Sequence, residues 1–313
     1  MLFGAGLLGG LTYAAKKTAD TPPDVLNGAI DFQCNSDPDA MDRTVNVFQL
    51  VREAKAAGMR ALVIKNHYVP TADRAQMAME EVPGIEVFGG IVLNRSVGGL
   101  NAEAVREMVK FTGHRGKVVW LPTMDAEAQV RASGPPRPFV SVVKDGKPVP
   151  ELAEIFQIIA ENDLVLVTGR CTAAESLIII DAAKKAGVKR ILVMHAQAVP
   201  LDPATDEQLK QMADAGAIIE CLWYANLDAS KTTPAPGKVT STVADYARVI
   251  KSIGAEHFLL STDMGQPGHP SHTEAMRTFI AALKQNGVSD HDIDLVARQN
   301  PARLLGLPVV EGK

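Results

Sequence analysis

Cysteine is scarce in this sequence, and its cysteines do not form pairs. The 313 residues include three, Cys34, Cys171 and Cys221, and none of them belongs to a Cys-x-x-Cys motif. An odd number of widely spaced cysteines indicates neither a disulfide framework nor a zinc finger. We interpret all three as small, buried apolar residues.

Aromatic residues and net charge are also low. Two Trp and four Tyr offer few surfaces for stacking bases, and the formal charge of -4 gives no attraction to a phosphate backbone. We therefore expect no nucleic acid partner. A small molecule is the expected partner, and the sequence leaves open whether the chain forms a homo-oligomer.

No apolar run is long enough to predict a membrane span. The longest candidate, MLFGAGLLGGLTYAA at residues 1–15, is shorter than the roughly 20 helical residues that cross a bilayer. It is similar to the apolar part of a secretory signal without a basic start, and it also fits a surface helix. The chain is then cytoplasmic as written, or periplasmic if a longer signal exports it. We treat residues 1–27 as an N-terminal segment that precedes a domain at 28–313.

A repeated pattern dominates that domain: an amphipathic stretch, a glycine and then a short apolar run. It is plainest in KAAGMRALVIKNH (55–67), KKAGVKRILVMH (184–195), ADAGAIIECLW (213–223) and KSIGAEHFLLSTD (251–263). Glycine suits a helix C-terminus, and a continuous apolar run suits a strand that is buried on both faces. The pattern therefore predicts a parallel sheet whose strands alternate with helices.

Eight strands follow from this reading. They are predicted at 29–33, 60–65, 85–93, 117–122, 164–168, 190–194, 217–221 and 257–262. Eight strands alternating with helices predict a single-domain α/β fold, a (β/α)8 TIM barrel, with a doubly wound open sheet as the alternative. Loop insertions are expected after strands four (126–150, with a hairpin) and seven (224–240). Thr172 and Glu175 predict a capping box that opens a helix at 173–186.

Polar side chains follow the predicted strands at their carboxyl ends, where barrels of this kind carry functional residues. They are Asp31, Gln33 and Asn35 after strand one, Lys65 and His67 after strand two, Arg170 after strand five, His195 after strand six and Asp263 after strand eight. Since side chains alternate along a strand, Asp31, Gln33 and Asn35 are expected on one side.

These residues resemble a known family. The segment Asp31-x-x-x-Asn35, the strand-end His195, the Ser-Thr-Asp-x-Gly-Gln stretch around Asp263 and the closing segment 300–306 are similar to the amidohydrolase superfamily of metal-dependent hydrolases. The stretches KNHYVPTADRA (65–75) and VFGGIVLNRSVGGLN (87–101) resemble a narrower branch of it. The resemblance extends from about Gly28 to Leu307, and it implies a TIM barrel with a hydrolytic site at its mouth.

The sequence departs from the superfamily at the metal ligands. The superfamily pattern places two metal-binding histidines after strand one, where this chain has Gln33 and Asn35, and another after strand five, where it has Arg170. Neutral amides are poor ligands for zinc or iron, and a guanidinium repels a divalent cation. We therefore expect the inherited metal position to be empty and Arg170 to supply the positive charge in its place.

The resemblance implies a hydrolase that cleaves a C–N, ester or lactone bond of a small anionic molecule. The expected roles are acid/base catalysis for His195 and Asp263, anion binding for Lys65 and Arg170, and polar pocket contacts for His67, Gln33 and Asn35.

Several alternatives stay open. Arg170 could form a buried salt bridge with Asp263 that satisfies both charges and leaves a pocket without function. Separately, the protein could be a non-catalytic relative that binds a metabolite. A metal-independent lyase such as a decarboxylase is another reading, with Arg170 and Lys65 stabilising a developing enolate. A relocated mononuclear site of His67, His195 and Asp263 is also open, so the cofactor is either none or one divalent, zinc-type metal at a non-standard site.

Overall fold

Eight parallel strands form the centre of the molecule in a computed structural model that describes residues 24–197, 201, 203–226 and 241–309. The strands are β1 Ile30–Cys34, β2 Ala61–Ile64, β3 Glu86–Val92, β4 Gly116–Trp120, β5 Val165–Val167, β6 Arg190–Val193, β7 Ile218–Leu222 and β8 Phe258–Ser261. They pair in chain order. The eight predicted strands are confirmed.

The sheet closes between its first and last strands. The backbone N–H of Asp263 donates to the carbonyl of Gln33 at 3.0 Å, and that of Asn35 donates to the carbonyl of Met264 at 3.1 Å. The barrel expected from the sequence is confirmed. Its closure brings the residues that follow β1 next to those that follow β8.

Helices cover the outside of this barrel. They are α1 Val47–Ala56, α2 Ala72–Glu81, α3 Ala102–Lys110, α4 Glu127–Ala132, α5 Leu152–Glu161, α6 Ala173–Lys185, α7 Asp206–Asp214, α8 Val243–Ile253, α9 His272–Gln285, α10 Asp290–Asp294 and α11 Asn300–Leu305, with a π-helical turn at Leu295–Gln299. Among the described helices, none is both long and apolar enough to cross a bilayer.

The core has an inner and an outer part. Side chains such as Phe32, Val63 and Trp120 fill the barrel, and the apolar faces of the helices pack on its outer surface. Leu304 and Leu305 of α11 belong to the inner cluster. All three cysteines are free and buried, as the sequence predicts.

The segment between β4 and β5 holds α4 and a two-stranded hairpin, Val143–Lys144 with Lys147–Pro148. Asp145 and Gly146 both have positive φ, 50° and 70°, which is the geometry of a tight hairpin turn. The other expected insertion, 224–240, lies outside the described residues from 227 onward. The expected N-terminal segment 1–27 is described only from Asp24.

The capping box at Thr172 gives a stability prediction. The Glu175 N–H donates to Thr172 Oγ1 at 3.2 Å, and the Thr172 N–H donates to a Glu175 carboxylate oxygen at 2.8 Å. Thr172→Ala removes this cap, so we expect it to lower the free energy of unfolding by about 1 kcal/mol in urea denaturation. Thr278→Ala, at an exposed position of α9, is the control and should change it much less. Equal effects of the two variants would contradict a capping role.

Candidate active site at the barrel mouth

Two of the residues at the mouth have an unusual backbone. His195 after β6 and Asp263 after β8 have φ values of 55° and 54°. Residues other than glycine rarely adopt this left-handed conformation, and Asp and His adopt it more readily than most. Both residues are also buried. The left-handed backbone at both positions therefore helps to fix where these two buried side chains point.

A buried ion pair lies at the centre of the mouth. Lys65 Nζ is 2.8 Å from Asp263 Oδ1, and the two side chains are 0% and 5% exposed. Nζ also donates a short hydrogen bond to Gln33 Oε1. Burial alone would raise the pKa of Asp263, but the charge of Lys65 and the neighbouring His195 bring this pKa well below its ordinary value. Asp263 is therefore a carboxylate at neutral pH.

The amide side chains of Gln33, within β1, and Asn35, directly after it, are fixed by their neighbours. Gln33 Nε2 donates to Glu220 Oε1, so its carbonyl oxygen faces Lys65. Asn35 Nδ2 donates to Asp263 Oδ1 at 2.9 Å and to the Met264 carbonyl at 3.1 Å. Asn35 Oδ1 is buried and has no partner in the described part of the chain. It is an acceptor that a ligand could use.

Asp31 does not join this group. The β1–β2 pairing shifts register between Asp31 and Cys34, and Asp31 accepts hydrogen bonds from the backbone and side chain of Thr262. The two-residue alternation expected for Asp31, Gln33 and Asn35 is thus interrupted by an irregularity between Asp31 and Cys34. Burial raises the pKa of Asp31 to about 6 despite these hydrogen bonds.

Arg170 does not pair with Asp263. Its guanidinium donates to Gln129 Oε1 at 3.0 Å and lies 3.3 Å from Met124 Sδ. The alternative of a buried Arg170–Asp263 salt bridge is wrong, and the carboxylate takes Lys65 as its partner instead. Two of the three N–H donors of Lys65 Nζ are therefore used, by Asp263 Oδ1 and Gln33 Oε1. Arg170 Nε is buried and finds no acceptor in the described ranges.

His195 lies next to Asp263 without a hydrogen bond to it. Its Nε2 is 3.7 Å from Asp263 Oδ2, which is too far for a hydrogen bond, and neither ring nitrogen has a partner among the residues that the structure describes. Burial, helped by the charges of Arg170 and Lys65, lowers the pKa of His195 to about 4, against the opposing effect of Asp263. The imidazole is therefore neutral at pH 7 and has a free lone pair.

His67 belongs to the wall of the mouth. Its Nδ1 shares a hydrogen bond with Thr123 Oγ1 at 2.8 Å, and Asn94 Nδ2 donates to the same hydroxyl at 3.0 Å. Burial lowers the pKa of His67 well below its ordinary value, and the charges of Lys65, Arg170 and Arg43 lower it further. His67 is therefore neutral and oriented by its neighbours.

The residues around Asp263 do not fit a divalent metal. Hydrogen-bond donors, Lys65 Nζ and Asn35 Nδ2, face Asp263 Oδ1 where metal chemistry would need further oxygen or nitrogen ligands. Across the described ranges, no three His, Cys, Asp or Glu side chains are grouped so that they could hold a metal ion. The alternative of a relocated metal site formed by His67, His195 and Asp263 therefore finds no support in the described residues.

Sequence reasoning missed two charged residues at this site. Glu220 of β7 is buried and accepts from Gln33, and Arg43 pairs with Asp39 at 2.7 Å while its charge acts on His67. Glu220 is the single charged residue inside the apolar run AIIECL, which is a signal that could have identified it. Arg43 lies in the loop after β1 and carries no such signal.

Glu220 makes the stability of the protein depend on pH. Burial raises its pKa from 4.5 to about 7, with Lys65 and Gln33 acting in the opposite direction. Between these pH values the folded chain holds a proton that the unfolded chain releases, so this contribution to stability is lost as pH rises. We expect the unmodified protein to lose roughly 3 kcal/mol more than Glu220→Gln over this range.

Urea denaturation at a series of pH values measures this difference. Glu161→Gln, at an exposed position of α5, is the control and should leave the pH curve unchanged. Parallel curves for the unmodified protein and Glu220→Gln would contradict the assignment.

A model of a family of unknown function (DUF6282) matches residues 28–220. No curated protein matches the chain.

Three solved structures illustrate the likeness in fold. An organophosphorus hydrolase from Deinococcus radiodurans is 15% identical with a TM-score of 0.58, over 90% of this chain and 94% of that one. An N-acetyl-D-glucosamine-6-phosphate deacetylase from Mycobacterium smegmatis is 16% identical with a TM-score of 0.55, over 90% and 77%. An amidohydrolase from Pseudomonas aeruginosa is 13% identical with a TM-score of 0.53, over 90% and 96%. The expected resemblance to the amidohydrolase superfamily is thus confirmed at the level of the fold.

Proposed function

We propose that this chain, which belongs to the family of unknown function DUF6282, is a hydrolase that cleaves a C–N, ester or lactone bond of a small anionic molecule at the barrel mouth. The observation that carries this proposal is the state of His195. It is buried and neutral at pH 7, its ring nitrogens are unpartnered among the described residues, and it lies 3.7 Å from the Asp263 carboxylate. A neutral imidazole beside a fixed carboxylate is suited to general-base catalysis.

The reaction needs one water molecule. His195 accepts a proton from the water as its oxygen attacks the carbonyl carbon, and the resulting imidazolium is stabilised by Asp263. The tetrahedral intermediate then collapses, the C–N or C–O bond breaks, and His195 returns the proton to the leaving group. Asp263 stays ionised throughout, because Lys65 holds its charge in place.

We propose an anionic substrate because positively charged side chains act electrostatically on the residues of the mouth. Arg43, Lys65 and Arg170 each lower the pKa of His67. Lys65 and Arg43 are already paired with carboxylates, whereas Arg170 binds only neutral groups among the described residues. The guanidinium of Arg170 is thus the group best placed to bind a carboxylate or phosphate of the substrate. Among the similar structures, the deacetylase is named for a phosphorylated sugar.

A substrate panel tests this proposal. It would contain carboxylated lactones, N-acyl amino acids and phosphorylated acetamido sugars, each beside an uncharged analogue such as its methyl ester. We expect turnover of anionic members, with one ¹⁸O atom incorporated from labelled water into the acid product. Release of carbon dioxide would favour a decarboxylase instead, and binding without turnover would favour a metabolite-binding protein. Either outcome contradicts the hydrolase proposal.

Arg170→Gln tests the anion-binding role. Loss of a hydrogen bond to a charged group costs about 1.5–3 kcal/mol, so we expect KM for anionic substrates to rise roughly 10- to 100-fold with a smaller change in kcat. KM for the uncharged analogues should change little. Arg137→Gln is the control, since Arg137 is an exposed arginine paired with Asp125. Equal changes in KM for charged and uncharged substrates would exclude this role.

A further inference from the structure

We infer that the ammonium group of Lys65 permanently occupies the place at Asp263 where the related barrels are expected to hold a divalent cation. This role of Lys65 does not depend on which bond the protein cleaves. It replaces the expectation from the sequence that Arg170 supplies the substituted charge.

The contacts at Asp263 support this inference directly. Oδ1 accepts from Lys65 Nζ at 2.8 Å and from Asn35 Nδ2 at 2.9 Å, so two donors, one of them an ammonium, already occupy this oxygen of the carboxylate. The carbonyl oxygen of Gln33 is turned towards the same Nζ. Both residues that replace the expected histidines after β1 therefore serve the Lys65–Asp263 pair, Gln33 as an acceptor for Lys65 and Asn35 as a donor to Asp263.

The position of Lys65 is fixed by the barrel itself. Ala61 and Val63 of β2 face the barrel interior, and Lys65 is the next residue in this alternation. Its backbone N–H donates to the Cys34 carbonyl of β1 at 2.9 Å, which holds the end of β2 against the end of β1. The side chain of Lys65 is fully buried. The ammonium is therefore delivered by the strand register and not by a flexible loop.

Electrostatics then disfavour a second cation. A divalent ion about 4 Å from a fixed ammonium would be repelled by roughly 8 kcal/mol at an effective dielectric constant of about 20. The ligands left for such an ion are also few: His195 lies near Asp263, but His67 is directed by Nδ1 to Thr123. Restoring histidines at 33 and 35 alone should consequently fail to restore metal binding.

Two variants that differ only at position 65 test whether Lys65 excludes a metal ion. The first is Gln33→His/Asn35→His, which keeps Lys65, and the second adds Lys65→Met, whose side chain has a similar apolar stem and no charge. Each protein is purified without chelator, incubated with zinc or manganese, desalted and analysed by mass spectrometry for metal content. Circular dichroism establishes that each variant is folded.

We expect less than about 0.1 equivalent of metal in the unmodified protein and in the double variant, and about one equivalent in the triple variant. If the double variant bound metal as tightly as the triple variant, Lys65 would not be the excluding group. If the folded triple variant bound none, the position at Asp263 would not be a replaced metal site. Either result overturns the inference.

A second measurement tests the inference even if the triple variant does not fold. The melting temperature of the unmodified protein is measured with and without zinc or manganese, beside that of Asp263→Asn. We expect no metal-dependent shift that requires Asp263. A shift that is present in the unmodified protein and abolished by Asp263→Asn would overturn the inference, whatever the outcome of the turnover assays.

Discussion

Lys65→Met is expected to lower the free energy of unfolding by about 3–5 kcal/mol at pH 7, because it leaves the buried Asp263 carboxylate without its charged partner. Both side chains are almost fully buried, so water cannot compensate for the loss. Asn35 would continue to donate to Asp263, but a neutral amide cannot replace an ammonium. Urea denaturation measures the effect.

Two controls separate the ion pair from other effects of the substitution. Lys210→Met breaks an exposed pair with Asp214 and should cost less than about 1 kcal/mol. The double variant Lys65→Met/Asp263→Asn removes both charges and should be more stable than Lys65→Met alone. If Lys65→Met cost no more than Lys210→Met, the buried pair would contribute little to stability and the description of the mouth would be wrong.

The second large effect concerns catalysis. For any substrate that the panel identifies, His195→Gln should lower kcat by about 10²- to 10⁴-fold, which is the typical contribution of a general base. Glutamine keeps a polar group of similar size but cannot accept and return a proton. KM should change little, since His195 has no assigned part in holding the anion. Steady-state kinetics of the folded variant measure the effect.

The pH profile gives an independent check on the same residue. Burial lowers the pKa of His195 to about 4, and a general base must be neutral to act, so kcat/KM should fall as the pH drops through about 4. His291→Gln, at an exposed position of α10, is the control and should leave both kcat and the profile unchanged. Full activity in His195→Gln would show that another group takes the proton.

The barrel could be predicted from the sequence because its signals are local. A buried parallel strand is a continuous apolar run, and a glycine ends the helix before it, so each unit such as 184–195 shows both features within a dozen residues. The predicted strand at 190–194 is observed at Arg190–Val193. The capping box of Thr172 and Glu175 is equally local and is confirmed.

The mouth could be predicted only as a set of residues. Strand ends identify Lys65, Arg170 and Asp263 as neighbours, because parallel strands end together. The choice of partner depends on how far each side chain reaches and where it points, and sequence spacing does not contain this information. Asp263 therefore pairs with Lys65, while Arg170 binds Gln129.

Local irregularity and burial explain the other misses. The pairing of β1 with β2 shifts register between Asp31 and Cys34, and no residue pattern in 30–34 predicts this shift. Glu220 looks like a polar interruption of an apolar strand until the barrel places it beside Gln33. Both features arise from contacts between strands that are distant in sequence.

The most direct test of whether Lys65 occupies the cation position at Asp263 is an anomalous-difference map from crystals of the unmodified protein grown with zinc or manganese. The account predicts continuous electron density for Lys65 up to Asp263 and no anomalous peak within about 4 Å of that carboxylate, since a metal ligand bond is only about 2 Å long. An anomalous peak bound by Asp263, with the Lys65 ammonium turned away from it, would contradict the account.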